Sequence, residues 1–324
     1  MSQSIALIEL GSNAARLLLA DVVMGNGYRV MCHKRVQTRL ASSCDGRLSR
    51  RAIRDTLAAV RSFLRSLPAG NGLTALAVAT AAVRDAENRA ELLNPLVHKY
   101  GLNVVVLSPH DEACLGALAA LHNLPVDDGI IFDLGGGSLQ LATVRGSRVE
   151  ETTSLPVGVV RMTERFLRAD PPSPREMAAL RAEVGDRLVG AIATPPPQGS
   201  LIGLGGTVRA LASLRLGTRA DERARHGLYL RQPEIAAIRA RLESLPLEER
   251  QRVPGLRPER ADIIVAGAVV VEELLRASGY PGLTVSTFGV RDGFLIRRTF
   301  PGTWPLRIRP ARNADTNVTA QSAA

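Results

Sequence analysis

Aromatic residues are almost missing from this sequence: Phe, Tyr and Trp together make up 3% of it. Any core must therefore be built from Leu, Val, Ile and Ala. The hydrophobic content of 45% over 324 residues is enough to fill two domains. Lysine is scarcer still, with only Lys34 and Lys99 among 41 basic residues. No apolar run approaches the roughly 18–20 residues that a membrane-spanning helix needs, so no membrane partner is expected. The opening Met1-Ser2-Gln3-Ser4 carries no basic stretch before its first apolar run, which argues against a secretory leader and for the cytoplasm. The three cysteines, Cys32, Cys44 and Cys114, have no metal-ligand spacing and cannot all pair, so free thiols in a reducing compartment are expected.

The charge that is present is one-sided. A formal net charge of +10 suits an anionic partner. Zinc-finger spacing, a basic helix with heptads and aromatic-studded strands are all lacking, so nucleic acid is not the expected anion. Charge alone points to phosphate and goes no further.

Apolar runs at Ile5–Leu10 and Leu17–Val23 flank Gly11-Ser12-Asn13 and predict a β-hairpin, with a turn at Gly25-Asn26-Gly27. Helical spacing of Ile53, Leu57, Val60, Phe63 and Leu64 predicts a helix over 49–67. Strands are predicted at 73–80 and 104–107, and helices at 83–99 and 111–123. The opening pattern returns at Phe132-Asp133-Leu134-Gly135-Gly136-Gly137, which resembles Ile8-Glu9-Leu10-Gly11-Ser12-Asn13. Two related α/β domains are therefore expected, at 1–124 and 125–306, followed by a disordered tail at 307–324. Within the second domain a loop is predicted at Thr194–Gly199, a long helix at 260–277 and a strand at 283–288.

Three glycine-rich turns each follow an apolar strand, at 11–13, 135–138 and 203–207. Glycine lets the backbone approach an anion, and consecutive inward amides make a nest for it. The turn at Thr207 also opens a helix, whose N-terminus favours negative charge. Two familiar nucleotide fingerprints fail. Gly135-Gly136-Gly137 leads into a strand rather than a helix, and no G-K-[ST] follows any glycine loop. Glu112 stands at the start of a helix, where an acid either faces a cleft or only complements the helix dipole. Asp133 ends a strand that reads as buried on both faces, where a lone charge would be costly without a cation. His110, near Glu112, reads as a surface-loop histidine rather than half of a catalytic dyad.

These residues resemble the exopolyphosphatase/guanosine pentaphosphate phosphohydrolase family, within the actin-like ATPase superfamily. Glu9–Asn13 resembles its first phosphate turn. Ala79–Ala86 with Asn88 matches its A-T-x-A-x-R-x-A segment, and Ser108–Ala113 takes the place of S-G-x-E-E-A. Asp133–Ser138 is similar to D-I-G-G-G-S. Ser154–Gly158 with Arg161, Gly205-Gly206-Thr207, Arg260-Ala261-Asp262 leading to Gly267, and Arg291-Asp292-Gly293 continue in order.

The resemblance implies two ribonuclease-H-like, actin-like ATPase domains facing each other across a cleft. It implies Glu112 as the general base, with Ser12, Asn13, Arg84, Gly136, Gly137, Ser138, Gly206 and Thr207 holding phosphate. It implies Mg²⁺ or Mn²⁺ held by Asp133, Glu9 and Gln140, and inorganic polyphosphate or guanosine pentaphosphate as substrate. A homodimer is common among such proteins. Two of those metal positions depart from the pattern: Glu9 replaces the usual Asp, adding about 1.5 Å of reach, and the neutral Gln140 replaces Glu. Pro109 and His110 replace Gly and Glu. Reduced but real hydrolysis is expected. The alternatives are a weakened or inactive polyphosphate or alarmone-binding protein, or an acyl or sugar kinase that shares the phosphate turns.

Overall fold

The computed structural model describes residues 2–40, 46–68, 72–192, 199–219 and 222–301. The expected tail at 307–324, Cys44 and residues 194–198 of the expected loop lie outside them. Cys32 and Cys114 are free. Among the described residues no helix is long and apolar enough to cross a membrane.

The first sheet opens with β1 (Ser2–Leu10), β2 (Ala14–Val23) and β3 (Gly27–Gln37), an antiparallel meander. Helix α1 (Arg50–Arg65) starts where Ser49 Oγ accepts the Ala52 amide at 3.1 Å, satisfying one of the orphan donors of its first turn. It leads to β4 (Leu73–Ala79), parallel to β1. The single helix expected over 83–99 is instead three short pieces: α2 (Ala81–Arg84), α3 (Ala90–Asn94) and a π-helical turn (Pro95–Lys99). Two causes are visible. Pro95 lacks the amide a continuous helix would need. Asn88 is pulled aside by bonds to both backbone groups of Leu48, 2.7 Å from its amide and 3.0 Å to its carbonyl. Strand β5 (Asn103–Val106) then adds parallel to β4, giving the order β3-β2-β1-β4-β5.

Helix α4 (Pro109–Asn123) connects to a second meander of β6 (Gly129–Leu134), β7 (Leu139–Arg145) and β8 (Arg148–Leu155). Next come α5 (Val159–Phe166), α6 (Pro174–Leu188), β9 (Ser200–Leu204), α7 (Gly205–Leu216), α8 (Glu222–Arg225) and β10 (Tyr229–Arg231). After them come α9 (Gln232–Ser244), α10 (Leu247–Gln251), a 3-10 turn (Pro258–Arg260), α11 (Ile264–Ser278), β11 (Gly282–Val285) and α12 (Val290–Thr299). Strand β11 stops short of the expected 288, and the chain turns at Gly289 into α12. The second sheet reads β8-β7-β6-β9-β11, with β10 at its far edge. Its first five strands repeat the order and directions of the first sheet, so the repeated sequence pattern marks a repeated topology. Two mixed sheets covered by helices give the α/β, actin-like architecture expected.

One helix ties the halves together. Residues Asp111–Ala120 of α4 are all buried. Leu115 joins Ile5, Leu7, Leu18, Val78, Val290 and Leu295 against the first sheet. Ala117 and Ala120 pack on Ile131, Ile202 and Leu204 of the second. Alanine and glycine on this helix let both sheets approach closely; at Gly116 an added β-carbon would lie 3.6 Å from Leu204 Cδ2. The last helix, α12, also returns to the first sheet, sealing its face with Val290 and Leu295. Burying a side chain of this size contributes about 1.5–3 kcal/mol.

Candidate functional site

The two meanders place an acid at equivalent points. Glu9 on β1 stands opposite Arg16 on β2, and Asp133 on β6 stands opposite Gln140 on β7, at the same sequence offset. Each first strand then breaks into the same tight turn, closed by Gly11 N to Ala14 O at 3.2 Å and by Gly135 N to Ser138 O at 3.0 Å. The turns face each other: a β-carbon on Gly136 would lie 2.8 Å from Ser12 Cβ and 3.3 Å from the Asn13 amide. Glycine at 136 is thus required by the approach of the opposite loop.

The peptide groups of 135–137 are oriented by α5. Val159 and Val160 donate to the carbonyls of Gly135 and Gly136 at 3.0 and 2.9 Å, and Arg161 Nε donates to that of Gly137 at 3.1 Å. With its carbonyls held there, this loop leaves the Gly136 and Gly137 amides without an acceptor among the described residues. The amides of Ser12 and Asn13 are in the same condition. The third turn opens α7, whose first amides have no intrahelical acceptor. Gly205 has φ +93 and packs on Asp133, where a β-carbon would sit 2.7 Å from Oδ1. The three turns therefore converge on one cleft that opens to solvent. Ser12, Asn13, Gly136, Ser138 and Gly206 line it. Gly137 lies just behind, against Ser12 Oγ, and the buried Thr207 accepts Arg260 Nη2 at 3.2 Å.

Glu112 also lines the cleft, one turn into α4. Ser108 caps that helix, its Oγ accepting the Asp111 amide at 3.0 Å. Burial pushes the Glu112 carboxyl up to about 7, against the opposing pull of Arg84. Arg84 does not project among the cleft-lining groups. Its Nη1 donates to Glu112 Oε2 and to the Leu107 carbonyl, both at 3.0 Å, so it acts first on the carboxylate. His110 turns away to Thr152 Oγ1 at 2.8 Å, which leaves no His–Glu pair. Asp133 sits at the cleft floor, where burial and then the charge of Glu9 push it up to about 6.

The site residues that the sequence reading missed are arginines. Arg16, Arg209, Arg260 and Arg291 all line the cleft. Arg209 donates to the Thr287 carbonyl at 2.9 Å. Burial, then Arg16 and Arg291, bring Arg209 down to about 10. Burial, then Arg35, Arg16 and Arg209, bring Arg260 down to about 9. Both remain charged at neutral pH. Among the described residues neither has a carboxylate at ion-pair distance. Buried like charges held together without counterions mark an anion site. In a chain this rich in arginine, type alone could not single them out. Arg260 and Arg291 stood within the quoted motifs without a site role, and for Arg16 the signal was the shared offset that relates Glu9 to Arg16 as it relates Asp133 to Gln140.

The three expected metal positions do not form a cation cage. Glu9 Oε2 accepts Arg16 Nη1 at 3.0 Å and forms an ion pair with Arg291, its Nε 3.2 Å away. Burial raises its carboxyl, but the two arginines outweigh this and hold it below the usual range. Gln140 Nε2 is tied to Ser138 Oγ at 2.6 Å and Ser154 Oγ at 3.5 Å. That leaves Asp133 as the single uncommitted carboxylate of the three. Among the described residues no three His, Cys, Asp or Glu side chains are grouped to hold a metal. Hard divalent ions are held mainly by carboxylate and phosphate oxygens, so the donor set does not fit a resident ion.

Comparison with known proteins agrees with this architecture. The Exopolyphosphatase 2 of Mycobacterium tuberculosis is 32% identical over 313 residues, covering 90% of this chain and 97% of the relative. The structure of the Aquifex aeolicus PPX-GPPA enzyme superposes with a TM-score of 0.77 at 28% identity, covering 91% of this chain and 99% of that one. An exopolyphosphatase from Cytophaga hutchinsonii shares the fold, with a TM-score of 0.81 at 23% identity over 92% of this chain and 98% of that one. The model of the Ppx/GppA phosphatase family matches residues 19–299. The converging turns, the acid on α4 and these matches lead to one conclusion: this chain belongs to the Ppx/GppA phosphatase family.

Proposed function

We propose that the chain is an exopolyphosphatase, releasing orthophosphate from the end of inorganic polyphosphate by attack of water. One observation carries the choice of substrate. The cleft opens into a trough that shares Arg16, Arg209, Arg260 and Arg291 with it and continues past Lys34, Arg35, Arg219 and Arg257. Among the described residues Glu222 is the one acid that lines the trough, and Glu259 pairs with Arg35 at 3.2 Å beside it. A strip of guanidinium and ammonium groups suits a chain of phosphates, each residue of which repeats the same charge. The close relatives named exopolyphosphatase support the same reading.

In this reading the free amides of the three turns and the cleft arginines hold the terminal phosphate. Ionised Glu112 orients a water and takes its proton as oxygen attacks phosphorus. The phosphoanhydride bond breaks, the shortened chain leaves with its charge spread over the arginines, and orthophosphate departs. Transition states of this kind are loose, so positioning and electrostatics matter more than base strength. Guanosine pentaphosphate is the second substrate to assay, because its terminal anhydride would enter the same cleft. The test is orthophosphate release from medium-chain polyphosphate by the full-length protein. Rates equal to those of the Glu112→Gln variant would defeat the hydrolase reading.

Two results follow from the geometry. Arg84→Gln removes the cation whose hydrogen bond and charge lower the Glu112 pKa, so the acid limb of the rate profile should move up by about one pH unit. The KM for polyphosphate should change by less than about threefold. A large rise in KM with an unmoved limb would instead return Arg84 to direct contact with phosphate. In the trough, Arg35→Gln with Arg257→Gln should weaken binding of long chains by about 30-fold at low salt, taking about 1 kcal/mol per lost contact at the solvent edge. The deficit should shrink as salt rises, and turnover of tripolyphosphate should be nearly unchanged. Equal losses on short and long chains would mean the trough does not carry the substrate.

A further inference from the structure

Phosphatases of this family generally depend on a metal ion, yet this chain uses its expected metal acids otherwise. The equivalent positions of the two meanders show how. At the second, Asp133 faces a neutral amide that is fixed by two serine hydroxyls. At the first, Glu9 faces Arg16, and α12 adds Arg291 to the same oxygen. With both guanidinium groups on Oε2, an ion could reach only Oε1, and there it would share the carboxylate's charge with two cations. An ion placed there would also sit among Arg16, Arg209, Arg260 and Arg291, all of like charge. Each of those groups is a planar fork suited to phosphate oxygens.

We propose that Glu9 anchors an arginine pair rather than ligating a metal, and that guanidinium groups supply the fixed positive charge of the cleft. A divalent ion then enters only as a salt of the phosphate chain. Arg16 and Arg291 are held in register by the carboxylate between them, which keeps two long side chains ordered before substrate arrives. The lengthened side chain of Glu9 fits this work, since it reaches past the turn to meet a residue on each of two elements. The choice of polyphosphate rests on the function proposed above, whereas the binding properties of the empty protein do not.

The experiment is a titration of the substrate-free, full-length protein with Mn²⁺, following the free ion by its paramagnetic resonance signal. The wild type is expected to show no saturable binding below about 1 mM, the weak end of protein sites for divalent ions. The double variant Arg16→Gln, Gln140→Glu removes one of the two cations on Glu9 and adds a second carboxylate beside Asp133. It should bind one Mn²⁺ at least tenfold more tightly, with circular dichroism confirming its fold. Saturable one-to-one binding by the wild type well below that concentration would overturn the proposal, whatever the double variant does. Phosphate release is measured on the same samples. Absence of release under every condition would remove the hydrolase reading alone, because the Mn²⁺ result does not depend on turnover.

Discussion

Glu112→Gln should lower orthophosphate release from polyphosphate by about 10²–10⁴-fold, the usual contribution of a positioned general base. Binding of the chain should persist, because the turns and the cleft arginines that would hold it are untouched. The amide keeps the size of the side chain and can still accept from Arg84 Nη1, 3.0 Å away in the wild type. What it loses is the capacity to accept a proton. The wild-type profile supplies a second check. Burial holds the Glu112 carboxyl up at about 7, and the active form is the ionised one. Activity should therefore fall about tenfold per pH unit below that value. Asp133, itself raised to about 6, pushes Glu112 in the same direction, so the observed limb belongs to the acid cluster rather than to one residue. A variant that keeps more than a tenth of wild-type turnover, with its acid limb intact, would take the base role away from Glu112.

The same shift has a cost for folding. The folded value of Glu112 lies above its ordinary 4.5, so its contribution to stability is fully present below about pH 4.5. It is lost as the pH rises through 7, on the order of 3 kcal/mol if undiminished. The ionisation state that works is the less stable one.

The largest effect on stability should come from Gly293→Ala. Gly293 lies in α12 where that helix meets α4. A β-carbon there would overlap the Leu115 carbonyl oxygen and lie 2.7 Å from its carbon and 3.1 Å from its Cα. These are backbone atoms of a buried helix and have no rotamer by which to give way. Overpacking commonly costs about 1–3 kcal/mol and more where backbone must move, so a loss of at least about 3 kcal/mol is expected, read as a drop in melting temperature. Activity should fall with it, because α12 carries Arg291 into the cleft and Asp292 to Tyr28 Oη at 3.3 Å. Gly289→Ala at the start of the same helix has open space around it and should change the melting temperature little. Comparable losses at both positions would mean that the α4–α12 approach is not the cause.

How much of this could be read from residues alone follows from what is local. Each glycine turn is written in a few adjacent letters, and the repeat of acid, Leu and Gly signalled that two meanders would match. Glu112 was visible because a capped helix follows a strand within a handful of positions. The break in the helix at 83–99 was only half visible, since Pro95 is local but the other cause is Asn88 reaching Leu48, forty residues away. The arginine cluster was hidden for the same reason. Its members come from β2, α7, the 3-10 turn and α12, and nothing beside Arg209 marks it out from the other arginines of the chain. Arg260 and Arg291 fell within recognised motifs, but only the fold shows that they meet Arg16. Arg84 was recognised by its motif, while its bond to Glu112 needed coordinates.

The return of α12 to the first sheet also bears on how the protein comes into being. A ribosome delivers the strands of that sheet early and the helix that covers their apolar face almost at the end of the described chain. For most of synthesis Ile5, Leu7 and Leu18 lack that cover, and Glu9 lacks the second of its two cations. The nascent amino-terminal half must wait, partly naked, for its last partner. That interval is when a chaperone would be most needed, and when a stalled or shortened message would yield a sticky product rather than a smaller working one.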